Sequence, residues 1–367
     1  MNRQGLKKAK RIIVKVGTSV LASKDLALDK AWIKAFAGQI AELLKQGREV
    51  VVVSSGAIAA GMHLLGIKKR PRNLPDQQAC AAIGQGHLMN AYEEAFRKKG
   101  FHAAQILLTW EDVRDRRRYL NVENTLRTLL GKSVIPVINE NDTVAVDELK
   151  FGDNDRLSAL VANLVDADVL IMLTDVDGFR LGKEACVDSV DSIDSQIESA
   201  AGGTSKECSL GGMKSKLESC KIAMSSGVHC VIANGRRKDI LSEILRGERV
   251  GTIFIPRKNK MQARKRWLAY NARTRGRIIV DGGAKEALVK KNGSLLACGI
   301  KKILGEFLYG DVVSVVGEDG VEFAKGLCNY GSADLEKIKG LSTKDAAKVI
   351  EKGFYQEVMH RDNLAVL

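Results

Sequence analysis

Val50-Val51-Val52-Val53-Ser54-Ser55-Gly56 is the stretch that decides the fold. Consecutive β-branched residues with no polar alternation read as a strand buried on both faces, as in a parallel sheet covered by helices. Ser54-Ser55-Gly56 reads as the turn into a Gly- and Ala-rich helix that begins at Ala57. Upstream, Trp32, Phe36, Ile40, Leu43 and Leu44 recur at helical spacing over 30–46, and Gly47 stops that helix. Further back, residues 11–16 read as a first strand and Gly17-Thr18-Ser19 as its turn. Downstream the alternation repeats. Helices at 77–98, 118–130, 156–166 and 213–226 lead to strands at 103–108, 133–138, 168–173 and 228–232. This is the pattern of an α/β chain with crossover helices, whose loops leave the carboxyl ends of the strands.

The chain has 367 residues, 45% of them hydrophobic, which is enough for more than one domain. Its character changes after residue 256. The net charge of +14 divides into +6 over 1–256 and +8 over the shorter 257–367. An excess of that size suits either an anionic partner or plain solubility. Residues 257–274, with Arg264-Lys265-Arg266-Trp267, read as a linker. Beyond it, β-like runs at 276–280, 310–316 and 321–326 alternate with short helices at 284–290, 332–338 and 344–352. That gives a small, β-rich domain over 275–367 after a larger domain over 1–256. No apolar run is long enough to span a bilayer. The basic N-terminus leads into a strand, not a signal-peptide core. Seven scattered cysteines without a CxxC pair read as reduced thiols in a cytoplasmic protein and exclude a cysteine metal cluster.

The chemistry gathers at the predicted strand ends. Lys15-Val16-Gly17-Thr18-Ser19 sets a lysine before a glycine and hydroxyls, and Ser55-Gly56 opens a helix whose amides can receive an anion. Asn139-Glu140-Asn141-Asp142 and Asp153-Asn154-Asp155 combine carboxylates with amides, which suits a charged small molecule, a metal ion, or both. Thr174-Asp175 closes the next strand, and Gly211-Gly212-Met213-Lys214-Ser215-Lys216 precedes the last helix without Walker A spacing. Lysines and amide-rich loops suit phosphate. Phosphoryl transfer needs that set, because cations must offset charge on the transferred group. A carboxylate acceptor is already ionised near neutral pH and needs such neutralisation more than a general base.

Together these stretches resemble the amino acid kinase family, and residues 275–367 are similar to a PUA domain, a β-rich fold shared with RNA-modifying enzymes. The resemblance covers nearly the whole chain. It implies a three-layer αβα sandwich with a mainly parallel central sheet. The implied activity is ATP-dependent phosphorylation of the γ-carboxylate of L-glutamate to L-glutamyl 5-phosphate, the first step of proline synthesis. Carried over by position, Ser55, Asp142 and Asn154 would hold glutamate, with Asn139 and Asp153 nearby. Lys15 and Lys216 would stabilise the phosphoryl group, and Asp155 would orient them or help organise magnesium. Gly17, Thr174, Asp175 and the 211–216 loop, including Gly211, Gly212, Met213, Lys214 and Ser215, would line the ATP site. Mg²⁺ would arrive mainly with ATP, with no certain protein ligand. The resemblance also implies a homo-oligomer (dimer or tetramer), feedback inhibition by proline, and RNA as a possible partner of the carboxyl-terminal domain. Other family members phosphorylate carbamate, aspartate, acetylglutamate or uridine monophosphate. Asp142 and Asn154 favour an acceptor with a free ammonium, and aspartate differs from glutamate by one methylene. The chain departs from the family after Thr174-Asp175. It continues through Asp177-Gly178-Phe179, with Phe179 at or beside the usual aromatic position.

Overall fold

The computed structural model describes residues 3–23, 25–144, 154–181, 186–201, 212–256, 263–270, 272–350 and 354–367. Its contacts separate into two compact units, Met1–Val113 with Arg117–Lys260, and Met261–Leu367 with Arg114–Arg116.

The first unit is built on an eight-stranded sheet of order β3-β4-β2-β1-β5-β7-β8-β6. Its strands are β1 (Arg11–Val16), β2 (Glu49–Ser54), β3 (Ala103–Leu108), β4 (Ile135–Glu140), β5 (Val169–Thr174), β6 (Ser189–Val190), β7 (His229–Asn234) and β8 (Thr252–Phe254). All the pairings from β3 across to β7 are parallel, and β8 runs antiparallel to β7. Val50 to Val53 are fully buried, as the unbroken apolar run demands. Each such side chain contributes roughly 1.5–3 kcal/mol by leaving water. The short edge strands β6 and β8 carried too little sequence signal to be expected.

Helices α1 (Thr18–Leu21), α2 (Lys30–Lys45), α3 (Ala57–Leu64) and α4 (Leu74–Arg97) follow the first strands. Next come α5 (Trp110–Arg114), α6 (Arg116–Gly131), α7 (Asn154–Leu164), α8 (Ser195–Ala201), α9 (Met213–Ser225) and α10 (Ile240–Leu245). Trp32 stacks on Phe36 in α2, and Asp29 caps that helix by accepting from the Trp32 amide. Asn73 caps α4 through the Asp76 amide, with Pro75 in the first turn, so the helix starts three residues before its expected position. Strand β4 is a correction of more consequence. It was expected over 133–138 and runs Ile135–Glu140, because Ser133 takes a left-handed φ of 55° in the turn after α6. Asn139 and Glu140 therefore belong to a buried strand, not to the loop beyond it.

The second unit holds a five-stranded sheet of order β10-β9-β11-β12-β13. These strands are β9 (Gly276–Val280), β10 (Ile300–Leu304), β11 (Val312–Val316), β12 (Glu322–Leu327) and β13 (Leu364–Val366). Ile278, Val280, Val313, Val315, Leu335 and Met359 share its core. Within the segment expected as a linker, α11 (Ala263–Tyr270) forms a helix that buries Trp267, Leu268 and Ala269. Cys80, Cys220, Cys230 and Cys328 are buried as free thiols, so these four do fill core positions. No helix among the described residues is long and apolar enough to cross a membrane.

Candidate active site

Strand order changes direction at β1: the chain builds outward on one side through β2 and β4, and on the other through β5 and β7. Ligands of open α/β sheets gather at such a switch, beyond the carboxyl ends of the strands. Val16, Ser54, Glu140 and Thr174 end β1, β2, β4 and β5 on that side. The Ser55 amide donates to the Val16 carbonyl at 3.1 Å and joins the first two loops. Gly56 follows at φ 103°, a conformation open to glycine, and a Cβ there would come within 2.7 Å of the Leu21 side chain. That turn opens α3 and leaves Ser55 half-buried beyond the end of β2.

Helix α7 begins two residues earlier than its periodicity suggests, so Asn154 and Asp155 form its first turn. They face different partners. Asn154 Nδ2 lies 3.0 Å from Ser55 Oγ, 3.0 Å from Asn139 Oδ1 and 3.3 Å from the Ser54 carbonyl. Asn139 Nδ2 donates in turn to Gln85 Oε1 at 2.8 Å, in the interior between β4 and α4. Asn154 Oδ1 and Gln85 Nε2 are buried without a hydrogen-bond partner among the described residues. Gln85 carried no sequence signal, since a glutamine within an amphipathic helix reads as surface.

Asp155 is fully buried and gathers cations from two distant parts of the chain. Its Oδ1 meets Lys15 Nζ at 2.6 Å, and its Oδ2 meets Lys216 Nζ at 3.1 Å. Ser215 Oγ donates to the same Oδ2 at 3.1 Å. Burial alone would push the Asp155 carboxyl up, but Lys15 and then Lys216 outweigh it and hold the group below its ordinary value. Lys15 and Lys216 are themselves buried, at 5% and 7% exposure. The carboxylate between the two side chains compensates charges that would be costly to bury alone. Gly17 stands beside them, and a Cβ there would lie 3.8 Å from Lys15 Nζ.

Of the remaining expected residues, the described ones lie at strand and helix ends. Thr174 is buried and its hydroxyl donates to Asp175 Oδ1 at 3.0 Å, with Asp175 exposed at the rim. Gly212 precedes α9, which carries Met213, Lys214, Ser215 and Lys216 in its opening turns. Asp142 is half-buried in the turn after β4, and its charge reaches Arg70. Asp153 and Gly211 lie outside the described residues. Phe179 is fully buried against Phe254, with ring centroids 6.4 Å apart, so it serves the core instead of lining an open face. Near the ends of β5 and β7 a cavity of about 360 Å³ is lined by Asp177, Asn234, Arg237 and Arg249 among others. Among the described residues no three acidic, histidine or cysteine side chains cluster as a metal site would require.

Fold and site together define a small-molecule kinase on an αβα sandwich, with buried lysines facing the ends of a parallel sheet. The chain belongs to the amino acid kinase family, whose profile matches residues 10–234; that of the PUA domain matches 276–350. It is 49% identical to a glutamate 5-kinase of Caldanaerobacter subterraneus subsp. tengcongensis, over 97% of this chain and 98% of that protein. It is 47% identical to the glutamate 5-kinase of Thermoanaerobacter sp. strain X514, again over 97% of this chain and 98% of the relative. A glutamate 5-kinase of Geobacter sp. strain M21 is 45% identical over the full length of both chains.

Proposed function

We propose that this chain transfers the γ-phosphoryl group of ATP to the γ-carboxylate of L-glutamate, giving L-glutamyl 5-phosphate and ADP, the first step of proline synthesis. The observation that carries the reading is the pair of neighbours at the start of α7. Asn154 joins a neutral amide network at one side of the site, and Asp155 joins a pair of buried lysines at the other. Asn154 Oδ1, buried and unpartnered among the described residues, is a ready acceptor for the glutamate ammonium. Asp142 adds a charge-assisted bond to the same group. Ser55 and the amides that open α3 are suited to its carboxylates. Asn139 holds Asn154 in place, and Asp153 adjoins the pair in sequence.

The acceptor carboxylate is ionised at neutral pH and needs no base. What opposes its attack is repulsion between two anions. Lys15 and Lys216 converge on one carboxylate from β1 and α9, and they neutralise the transferring group without being reorganised at the moment of reaction. Both Asp155 oxygens are engaged by lysines, so Asp155 acts as their anchor rather than as a cation ligand. Magnesium therefore enters as part of the MgATP substrate. Gly17, Thr174, Asp175 and residues 212–216 at the start of α9 line the phosphate side, and the cavity by Asp177 and Asn234 offers room for the nucleoside.

The test is an acceptor panel with the purified protein and MgATP. ADP release that depends on L-glutamate, with aspartate and N-acetylglutamate at least about tenfold poorer in kcat/KM, is expected. Equal turnover of aspartate would overturn the assignment. Proline shares the ammonium and α-carboxylate of glutamate, so it should raise the glutamate KM and leave the ATP KM unchanged. A homo-oligomer is expected by light scattering. The second unit carries one feature favouring a separate role. Leu308, Tyr309 and Tyr355 are exposed, and Tyr309 stacks on Tyr355 at 5.6 Å, a surface suited to unpaired bases. Salt-dependent retention of single-stranded RNA by the full chain, lost in Tyr309→Ala, would support that role; no retention at low salt would remove it.

A further inference from the structure

We infer that Gln85 is a positioning residue for the acceptor substrate, acting through a one-way chain of side-chain amides that fixes how Asn154 faces glutamate. The inference rests on the reading of Asn154 as a glutamate ligand. The direction of the chain follows from one backbone group. The Glu140 N–H can only donate, and it reaches the Asn139 side chain at 2.9 Å, so that atom must be Oδ1. Asn139 Nδ2 then points the other way, to Gln85 at 2.8 Å, and the Gln85 atom that receives it must be Oε1. Asn139 Oδ1 also receives Asn154 Nδ2 at 3.0 Å. That contact turns Asn154 Oδ1 outward from the network, where it is buried and unpartnered among the described residues. A flip of any one amide would set donor against donor or acceptor against acceptor along the chain.

Gln85 is the far anchor of this chain and is itself nine-tenths buried, at 9% exposure. Its place is set by the residue before it. A Cβ at Gly84 would come within 1.9 Å of the Ala57 carbonyl, so α4 lies against the start of α3, immediately after Ser55 and Gly56. Seven residues on, the same face of α4 presents Tyr92, whose hydroxyl meets Ser54 Oγ at 2.9 Å. One helix thus grips the ends of both strands that flank Asn154, β4 through Gln85 and β2 through Tyr92. Removing the Gln85 acceptor leaves Asn139 Nδ2 buried and unpaired, a loss the network can relieve only by turning the amides.

The test is a double-mutant cycle on the full-length protein. Gln85→Met keeps the volume and removes the accepting oxygen. Expected are a glutamate KM raised about tenfold, an unchanged ATP KM, and a kcat within a few-fold of the parent. In an Asn154→Ala background the same change should raise the glutamate KM less than about twofold, because the amide it orients is gone. An unchanged glutamate KM, or an equal effect in both backgrounds, overturns the inference. If Gln85→Met does not fold, Gln85→Ala gives the same ratio with the position emptied instead of refilled. A parent protein that turns over no glutamate overturns the acceptor reading and this inference with it. A parent that does, beside an unaltered variant, overturns the inference alone.

Discussion

Asn154 and Asp155 are separated by one peptide bond, yet they anchor regions of opposite character. The network around Asn154 is built of neutral side chains: Asn139, Gln85, Ser54 and Ser55 meet through single hydrogen bonds, with an acceptor and a donor left over among the described residues. The region around Asp155 is ionic, with two buried ammonium groups on its two oxygens. Successive residues of a helix point about 100° apart, so one helix start can serve both. The difference teaches how the labour divides. A neutral network with unsatisfied atoms selects a ligand by hydrogen-bond direction, and a compensated ionic cluster holds charge ready for a transition state.

The largest blow to this division is Asp155→Ala. Two buried lysines would lose their counter-charge, at a cost of about 3–5 kcal/mol. The urea midpoint should fall and turnover should drop by at least about 10²-fold; a variant as stable as the parent would mean the lysines find another anion. Gly84→Ala attacks the other region through packing. Its Cβ meets backbone, which cannot yield without moving α3 from α4, and about 1–3 kcal/mol of stability should go. The glutamate KM should rise more than the ATP KM, and equal rises would show that the two regions are not separable. Asp142→Ala sharpens the comparison further. Loss of a charge-assisted bond to the ammonium should raise the glutamate KM about tenfold and leave the ATP KM alone. An unaltered glutamate KM at normal kcat would remove Asp142 from the acceptor site.

Much of the ionic region was legible in the sequence, and the neutral one was legible only in part. Lys15 sits in an apolar strand and Lys216 in a helix start, and phosphoryl chemistry gives both a reason to converge. The sequence leaves two roles open for Asp155, and its contacts with both lysines favour the orienting one. Asn139 and Asn154 were picked out by residue type, but the link between them was hidden. It depends on where β4 ends, and Ser133 shifted that boundary by two residues through a turn conformation that apolar periodicity does not register. Gln85 was invisible because its partner is more than fifty residues away in sequence. In the second unit β9 matched its expected span, and β10 and β13 were missed because their exposed or very short runs lack a two-residue alternation.

The smallest effect concerns pH. The Asp155 carboxyl is depressed in the folded protein, so its contribution to stability is complete above the ordinary carboxylate pKa and is lost as pH falls through the lower folded value. Between about pH 5 and 8 this group should add no slope to stability. Below about pH 4 the parent should lose stability faster than Asp155→Asn, which has no proton to take up. Parallel curves would show that the carboxylate is not the group that titrates.

The division at α7 is tested most directly by steady-state kinetics of Asn154→Ala and Lys216→Ala in one assay, with glutamate and MgATP varied independently. Asn154→Ala should raise the glutamate KM by about tenfold or more at nearly constant kcat, and Lys216→Ala should lower kcat by about 10²-fold with little change in the glutamate KM. If Lys216→Ala acts mainly on the glutamate KM, or Asn154→Ala mainly on kcat, the neutral and ionic regions do not divide binding from chemistry.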